Sequence, residues 1–138
     1  MADFSAIRAG IKTRLDTISG LRNYTNVPEQ LQFPATFVVP RTWEYHQAMG
    51  SPGYGRVEFE VTILAAPLNR SSYSRAQDAL DTYLDDTGAS SIKAAIEGDL
   101  TLGGTVTTLI VQRVRDYGAV EFADVTYVGA IVDVEVWP

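Results

Sequence analysis

The sequence predicts an α+β domain: a mostly antiparallel sheet of about four to five strands, with helices packed on one face and a long projecting β-hairpin. Several features carry this prediction. Apolar residues near the amino terminus recur at helical spacing, those of RVEFEVTIL alternate at period two, and the carboxy-terminal part holds two long strand-like runs joined by a turn. At 138 residues the chain has room for one core, so residues 1–138 are read as a single domain.

Phe4, Ile7, Ile11, Leu15 and Ile18 follow at spacings of 3, 4, 4 and 3, which sets them on one helical face. Asp3 or Ser5 can cap the start, and Gly20 is placed to end the helix with a left-handed residue. Polar residues at 8, 12, 13, 14 and 16 take the other face, the pattern of a helix lying on a sheet. From Leu21 to Pro34 the pattern is irregular. ATFVV, residues 35–39, reads as a short first strand ended by Pro40, which has no N–H for a continuing ladder.

RTWEYHQ, residues 41–47, then reads as the outgoing arm of a hairpin, with GSPGYG, residues 50–55, at its tip. The return arm is the clearest strand in the chain, because Val57, Phe59, Val61 and Ile63 alternate with Arg56, Glu58, Glu60 and Thr62. One face is packed, and the other is wet or meets a partner. The glycines of GSPGYG raise the question of a phosphate loop, but a Walker loop needs a lysine, a hydroxyl residue and a following helix. Here Arg56 and a strand come next instead.

A second helix is marked by Tyr73, Ala76, Leu80, Tyr83 and Leu84, with Ser71 or Ser72 as its cap and Thr87 and Gly88 at its close. A short third helix covers Ser91 to Glu97 and is stopped by Gly98. The rest is sheet: TVTTLIVQRVRDY, a turn near Phe122 to Asp124, and a return through VTYVGAIVDVEVW. In that last run Val125, Tyr127 and Ile131 share one parity, and Val132, Val134 and Val136 the other. A bulge near Gly129 accounts for the switch, and so does burial on both faces.

The residues offer little chemistry. There is no cysteine, which excludes disulfides, thiolate metal sites and cysteine nucleophiles. His46 is the single histidine, with no partners at triad or metal-ligand spacing, so it reads as a surface or interface residue. Asp78, Asp81, Asp85 and Asp86 crowd the second helix and read as a solvated helix end, with an acid–base pair as the competing reading. No cofactor and no metal site is expected, and the chain is not read as an enzyme. No apolar run reaches the roughly 20 residues of a membrane span, and MADFSAIRAG lacks the apolar stretch of a signal peptide. The expectation is folding in a cytoplasm.

Charge limits the partners. The chain has 11 basic and 17 acidic residues, a net charge of −6, which is the wrong balance for gripping phosphates. Nine of the eleven basic residues are arginine, whose planar fork suits carboxylates across protein contacts. Glu58 with Glu60, and Asp133 with Glu135, each fall on one outward sheet face, where like charges repel unless an arginine intervenes. Either that face is solvated or it makes ionic contacts to a neighbouring subunit.

Three stretches together resemble the tail terminator proteins of long-tailed phages, particularly those infecting actinobacteria. They are TWEYHQAMGSPGYGRVEFEVTIL, RAQDALDTYLDDTGASSIKAAIEGDLTLGG and RVRDYGAVEFADVTYVGAIVDVEVW, within residues 36–137. The resemblance implies a structural virion protein that forms a hexameric ring on the tail tube, stops tube polymerisation and provides the docking surface for head-neck proteins. A head-to-tail connector or stopper is the alternative. The implied partners are further copies of the chain, the tail tube protein and a neck or head-completion protein. DNA would pass through the channel without specific binding, and no membrane is involved. The implied location is the tail-neck junction of the virion, with assembly in the host cytoplasm.

Ring closure requires two different surfaces on each copy. Trp43, Tyr45, Met49, Tyr54 and Arg56 on the first hairpin are expected at a subunit or tube interface, with Glu58 and Glu60 beside them. Packing of Trp43 and Tyr45 on their own subunit is the competing reading. Arg113, Arg115 and Tyr117, expected near the tip of the last hairpin, are a second such surface.

Overall fold

In a computed structural model of the chain, the described residues are 4–25, 32–43, 56–68, 71 and 73–137. They form an α+β fold of three helices and a five-stranded mixed sheet. The order is α1 (Phe4–Leu15), β1 (Arg22–Tyr24), β2 (Ala35–Trp43), β3 (Val57–Pro67), α2 (Tyr73–Leu84), α3 (Ile92–Glu97), β4 (Thr108–Phe122) and β5 (Val125–Trp137). Across the sheet the strands stand β1-β2-β3-β5-β4. β1 is parallel to β2, and the other neighbours are antiparallel.

The helical spacing of α1 buries Ile7, Ile11 and Leu15, with Ile18 in the turn after it. Gly20 then takes φ +81°, the left-handed conformation that a side chain resists. These residues join Ala76 and Leu80 of α2, Ile92 and Ile96 of α3, and the alternate residues Val57, Phe59, Val61 and Ile63 of β3 in one apolar cluster. Val128, Ala130, Val132, Val134 and Val136 of β5 complete it. Each valine, leucine, isoleucine or phenylalanine side chain so buried contributes about 1.5–3 kcal/mol.

α3 begins at Ser91, whose hydroxyl accepts the Ala94 N–H at 3.1 Å. With six residues it is too short to stand without the packing of Ile92 and Ile96. Glu97 at its end accepts the Lys93 ammonium at 2.7 Å and the Val111 N–H of β4 at 3.0 Å. Burial would raise the Glu97 carboxyl, but these two bonds hold it below the usual range.

Two expectations about the sheet are corrected. Pro40 does not end a strand: β2 runs from Ala35 through Trp43, because Arg41 bulges out of register with β3 directly after Pro40. The bulge relieves the ladder where the proline lacks an N–H. The irregular segment also contains a strand, β1, pinned by side chains instead of periodicity. Asn23 is buried, its amide donates to Asp16 Oδ1 at 2.9 Å, and its carbonyl accepts Thr36 Oγ1 at 2.7 Å.

β5 keeps one parity throughout, so the apolar switch is not a bulge in this strand. Residues 128, 130, 132, 134 and 136 all join the main cluster, while Tyr127 packs in a second, smaller one with Phe37, Leu64 and Val120. Burial on both faces is the cause of the pattern. The register shifts nearest to Gly129 lie in the neighbours, at Ala65 of β3 and at Asp116 and Tyr117 of β4. A Cβ on Gly129 would stand 2.2 Å from the carbonyl oxygen of Ile63, so only glycine fits between the strands. β4 and β5 are joined through Ala123 and Asp124 at φ +52° and +65°, the signature of a type I′ hairpin turn.

Candidate functional site

The parity of β3 and β5 that avoids the main cluster carries charge. Glu58 pairs across the strands with Glu135, and Glu60 with Asp133, so like charges stand directly opposite one another. Left alone this arrangement repels. Four arginines enter it: Arg41 from the β2 bulge, Arg56 at the start of β3, and Arg113 and Arg115 from β4.

Arg115 is the hub. Its Nε donates to both carboxylate oxygens of Asp133 at 3.1 Å, its Nη1 reaches Asp116 at 3.0 Å, and its Nη2 pairs with Glu60. It therefore bridges the opposed carboxylates of β3 and β5. Burial would lower its pKa, but the bonds to Asp133 and Glu60 hold it above the ordinary arginine value. Arg41 lies 3.4 Å from Glu60 and 4.0 Å from Asp133, and Arg113 lies 3.6 Å from Asp133. Arg56 joins Glu135 at 3.4 Å and Glu58 at 3.6 Å, while Thr42 donates to Glu58 at 3.1 Å.

The two charges are stacked in depth. The Asp133 and Glu135 side chains are 10% and 8% exposed, whereas those of Arg41 and Arg113 are 47% and 58% exposed. Carboxylates form the floor and guanidinium groups the outer layer. The solvated-face expectation fails for Asp133 and Glu135, because arginines of the same chain cover them. Each of Glu58, Glu60, Asp133 and Glu135 is engaged by an arginine. The face presents planar cationic forks, the geometry suited to carboxylates and carbonyls of another protein.

At the far end the same face is aromatic. Phe33 stacks near Tyr127 at 5.3 Å between ring centres and Phe37 near Phe122 at 5.1 Å. Neither this cluster nor the role of Arg41 emerges from sequence reasoning. Phe33, Phe37, Phe122 and Tyr127 were the available signal for the first, and the Pro40–Arg41 step for the second.

The remaining predicted site residues fall in different places. Trp43 stands across β2 from Arg41 and packs edge-on against Phe4 of α1 at 5.1 Å, with Phe4 in turn 5.8 Å from Phe59. It nevertheless stays 38% exposed. Tyr45, Met49 and Tyr54 lie outside the described residues, as do His46 and all of GSPGYG. Arg113 and Arg115 stand in the body of β4 and not near the hairpin tip, because the turn comes only at Ala123–Asp124. Tyr117 turns away from the ionic face and donates its hydroxyl to Asp81 of α2. That bond raises the Tyr117 pKa above its ordinary value.

The acidic residues of α2 gather no metal site: among the described residues no group of three or more carboxylates or histidines is placed to hold an ion. Asp81 is taken by Tyr117, and Asp85 accepts the backbone N–H of Asp86 at 2.8 Å. No helix among the described residues is long and apolar enough to cross a membrane. No family model matches the chain, and no curated protein matches it either.

Proposed function

We propose that this protein is a structural, non-enzymatic virion component of a long-tailed phage. In this reading it forms a homo-hexameric ring on the tail tube, ends tube polymerisation at the tail-neck junction, and offers a docking surface to neck proteins. The observation that supports it most is the arginine layer over buried carboxylates, a polar surface suited to protein contact.

The reading gathers the helices on one face and extends the β2–β3 pair into a projecting hairpin. Trp43 is paired with Val57, so residues 44–55 connect the two strands beside Arg56. Tyr45, Met49 and Tyr54 belong to that connection and would meet a neighbouring copy or the tube. Head-to-tail closure then needs a second, different surface, for which Arg113 and Tyr117 on β4 are available. A net charge of −6 accords with a channel that lets DNA pass without gripping it.

The test is electron microscopy of the purified protein, alone and mixed with tail tubes. Six-fold rings, free or seated on tube ends, are the expected result. Twelvefold rings would move the assignment to a head-to-tail connector, and absence of rings under both conditions would overturn it.

A further inference from the structure

β4 is the edge of the sheet and, at 15 residues, its longest strand. β5 pairs with one side of it, and among the described residues no strand pairs with the other. An unpaired edge of this kind is a template for a further strand. Its first part is blocked, because the Val111 N–H is already donated to Glu97 of α3. Register shifts at Gln112 and at Asp116–Tyr117 bracket the middle of the strand, leaving Arg113–Arg115 as a short regular stretch.

Two features meet at that stretch. On the helix side lies a cleft of about 120 Å³, whose lining includes the apolar Leu84, Ile92, Val114 and Val132 together with the charged Asp86 and Lys93. Val114 is 42% exposed although apolar, so the cleft has an uncovered aliphatic wall directly at the strand edge. On the opposite side Arg113 is the most exposed arginine of the ionic face. Because neighbouring residues of a strand point to opposite faces, an added strand would place one side chain in the cleft and the next over Arg113.

We propose that this edge accepts a short extended segment of a partner protein as a sixth strand. The segment carries a branched aliphatic residue for the cleft next to an acidic residue for Arg113. Main-chain bonds to Arg113–Arg115 supply register, while the cleft and the guanidinium supply selectivity. The stretch shares Arg113 with the second ring surface, but strand addition is read on the purified chain with a short peptide, so its failure and the failure of ring formation are distinguishable.

The test sorts a displayed library of random short peptides against the purified full-length protein. Enriched peptides are expected to pair Val, Ile or Leu with a neighbouring Asp or Glu. One of them, added to labelled protein, should shift and protect the backbone amides of residues 112–117. Val114→Asp should weaken that peptide by about tenfold or more, since an unpaired charge would then be buried in the cleft. Re-sorting against Arg113→Glu should replace the acidic preference by a basic one, an effect that loss of structure would not produce. Circular dichroism checks that both variants stay folded. No enrichment, equal binding to Val114→Asp, or amide changes confined to other strands would each overturn the proposal.

Discussion

Replacing Arg115 by methionine keeps an unbranched, flexible stem and removes the guanidinium with its charge. The opposed carboxylates of Glu60 and Asp133 then lose the group that bridges them. Removing one partner of a wholly buried pair costs about 3–5 kcal/mol, and a hydrogen bond to a charged group contributes about 1.5–3 kcal/mol. Arg115 is 27% exposed, and Arg41 and Arg113 stay within 4.0 Å of the same carboxylates. The expected loss is therefore about 2–3 kcal/mol. With an unfolding entropy of about 2.1 cal/mol/K per residue over 138 residues, the melting temperature should fall by about 7–10 °C.

The control is Arg113→Met, which removes a single 3.6 Å contact from a side chain that is 58% exposed. Such surface pairs contribute less than about 1 kcal/mol. Urea and thermal unfolding of both variants, at low salt and at high salt, provide the measurement. The small Arg113 effect should vanish at high salt, while most of the Arg115 effect should persist, since buried pairs are screened less. If Arg115→Met lies within about 0.5 kcal/mol of the wild type, or costs no more than Arg113→Met, the hub role of Arg115 is wrong.

Single positions elsewhere in the sheet carry further expected outcomes. Gly129→Ala should destabilise by about 3 kcal/mol or more in urea unfolding, because its Cβ would meet the Ile63 carbonyl oxygen of the central strand. Ala123→Asn with Asp124→Gly should raise the melting point, as the type I′ turn prefers these residues at its left-handed positions; the gain should be about 1 kcal/mol. The Tyr117 phenol is raised by its bond to Asp81, so its contribution to stability is complete below the ordinary tyrosine value of 10.0. It is lost as pH climbs through the raised one. In an ultraviolet pH titration, Asp81→Asn should bring one tyrosine back toward the ordinary value; an unchanged curve would refute the contact.

The elements that the sequence reveals are those with strong periodicity. α1, β3, α2, α3 and the β4–β5 hairpin are legible because a buried stripe forces a 3.6-residue or two-residue repeat on the apolar positions. β1 is not legible, since three residues hold no period and its anchor is the side-chain trio of Asp16, Asn23 and Thr36. The extent of β2 is hidden for a related reason: a proline argues locally against a strand, and only the register with β3 shows that a bulge at Arg41 absorbs it. The pattern of β5 has two local explanations. The choice depends on Phe37, Leu64 and Val120, which cover its other face from distant parts of the chain.

For the candidate site the division is similar. The sequence by itself determined that Glu58 with Glu60, and Asp133 with Glu135, take outward positions, because side-chain alternation along a strand is a local property; it left open whether that face is solvated or ionically paired. Which arginines pair with them, and at what depth, is a property of strand order and register. Placing β5 between β3 and β4 brings Arg115 onto Asp133 and Glu60, 18 and 55 residues away along the chain. The bulges then set Arg41 and Arg113 around them. Tertiary structure alone decided that the acids lie beneath and the arginines above, since burial is fixed by neighbours that sequence distance does not reveal.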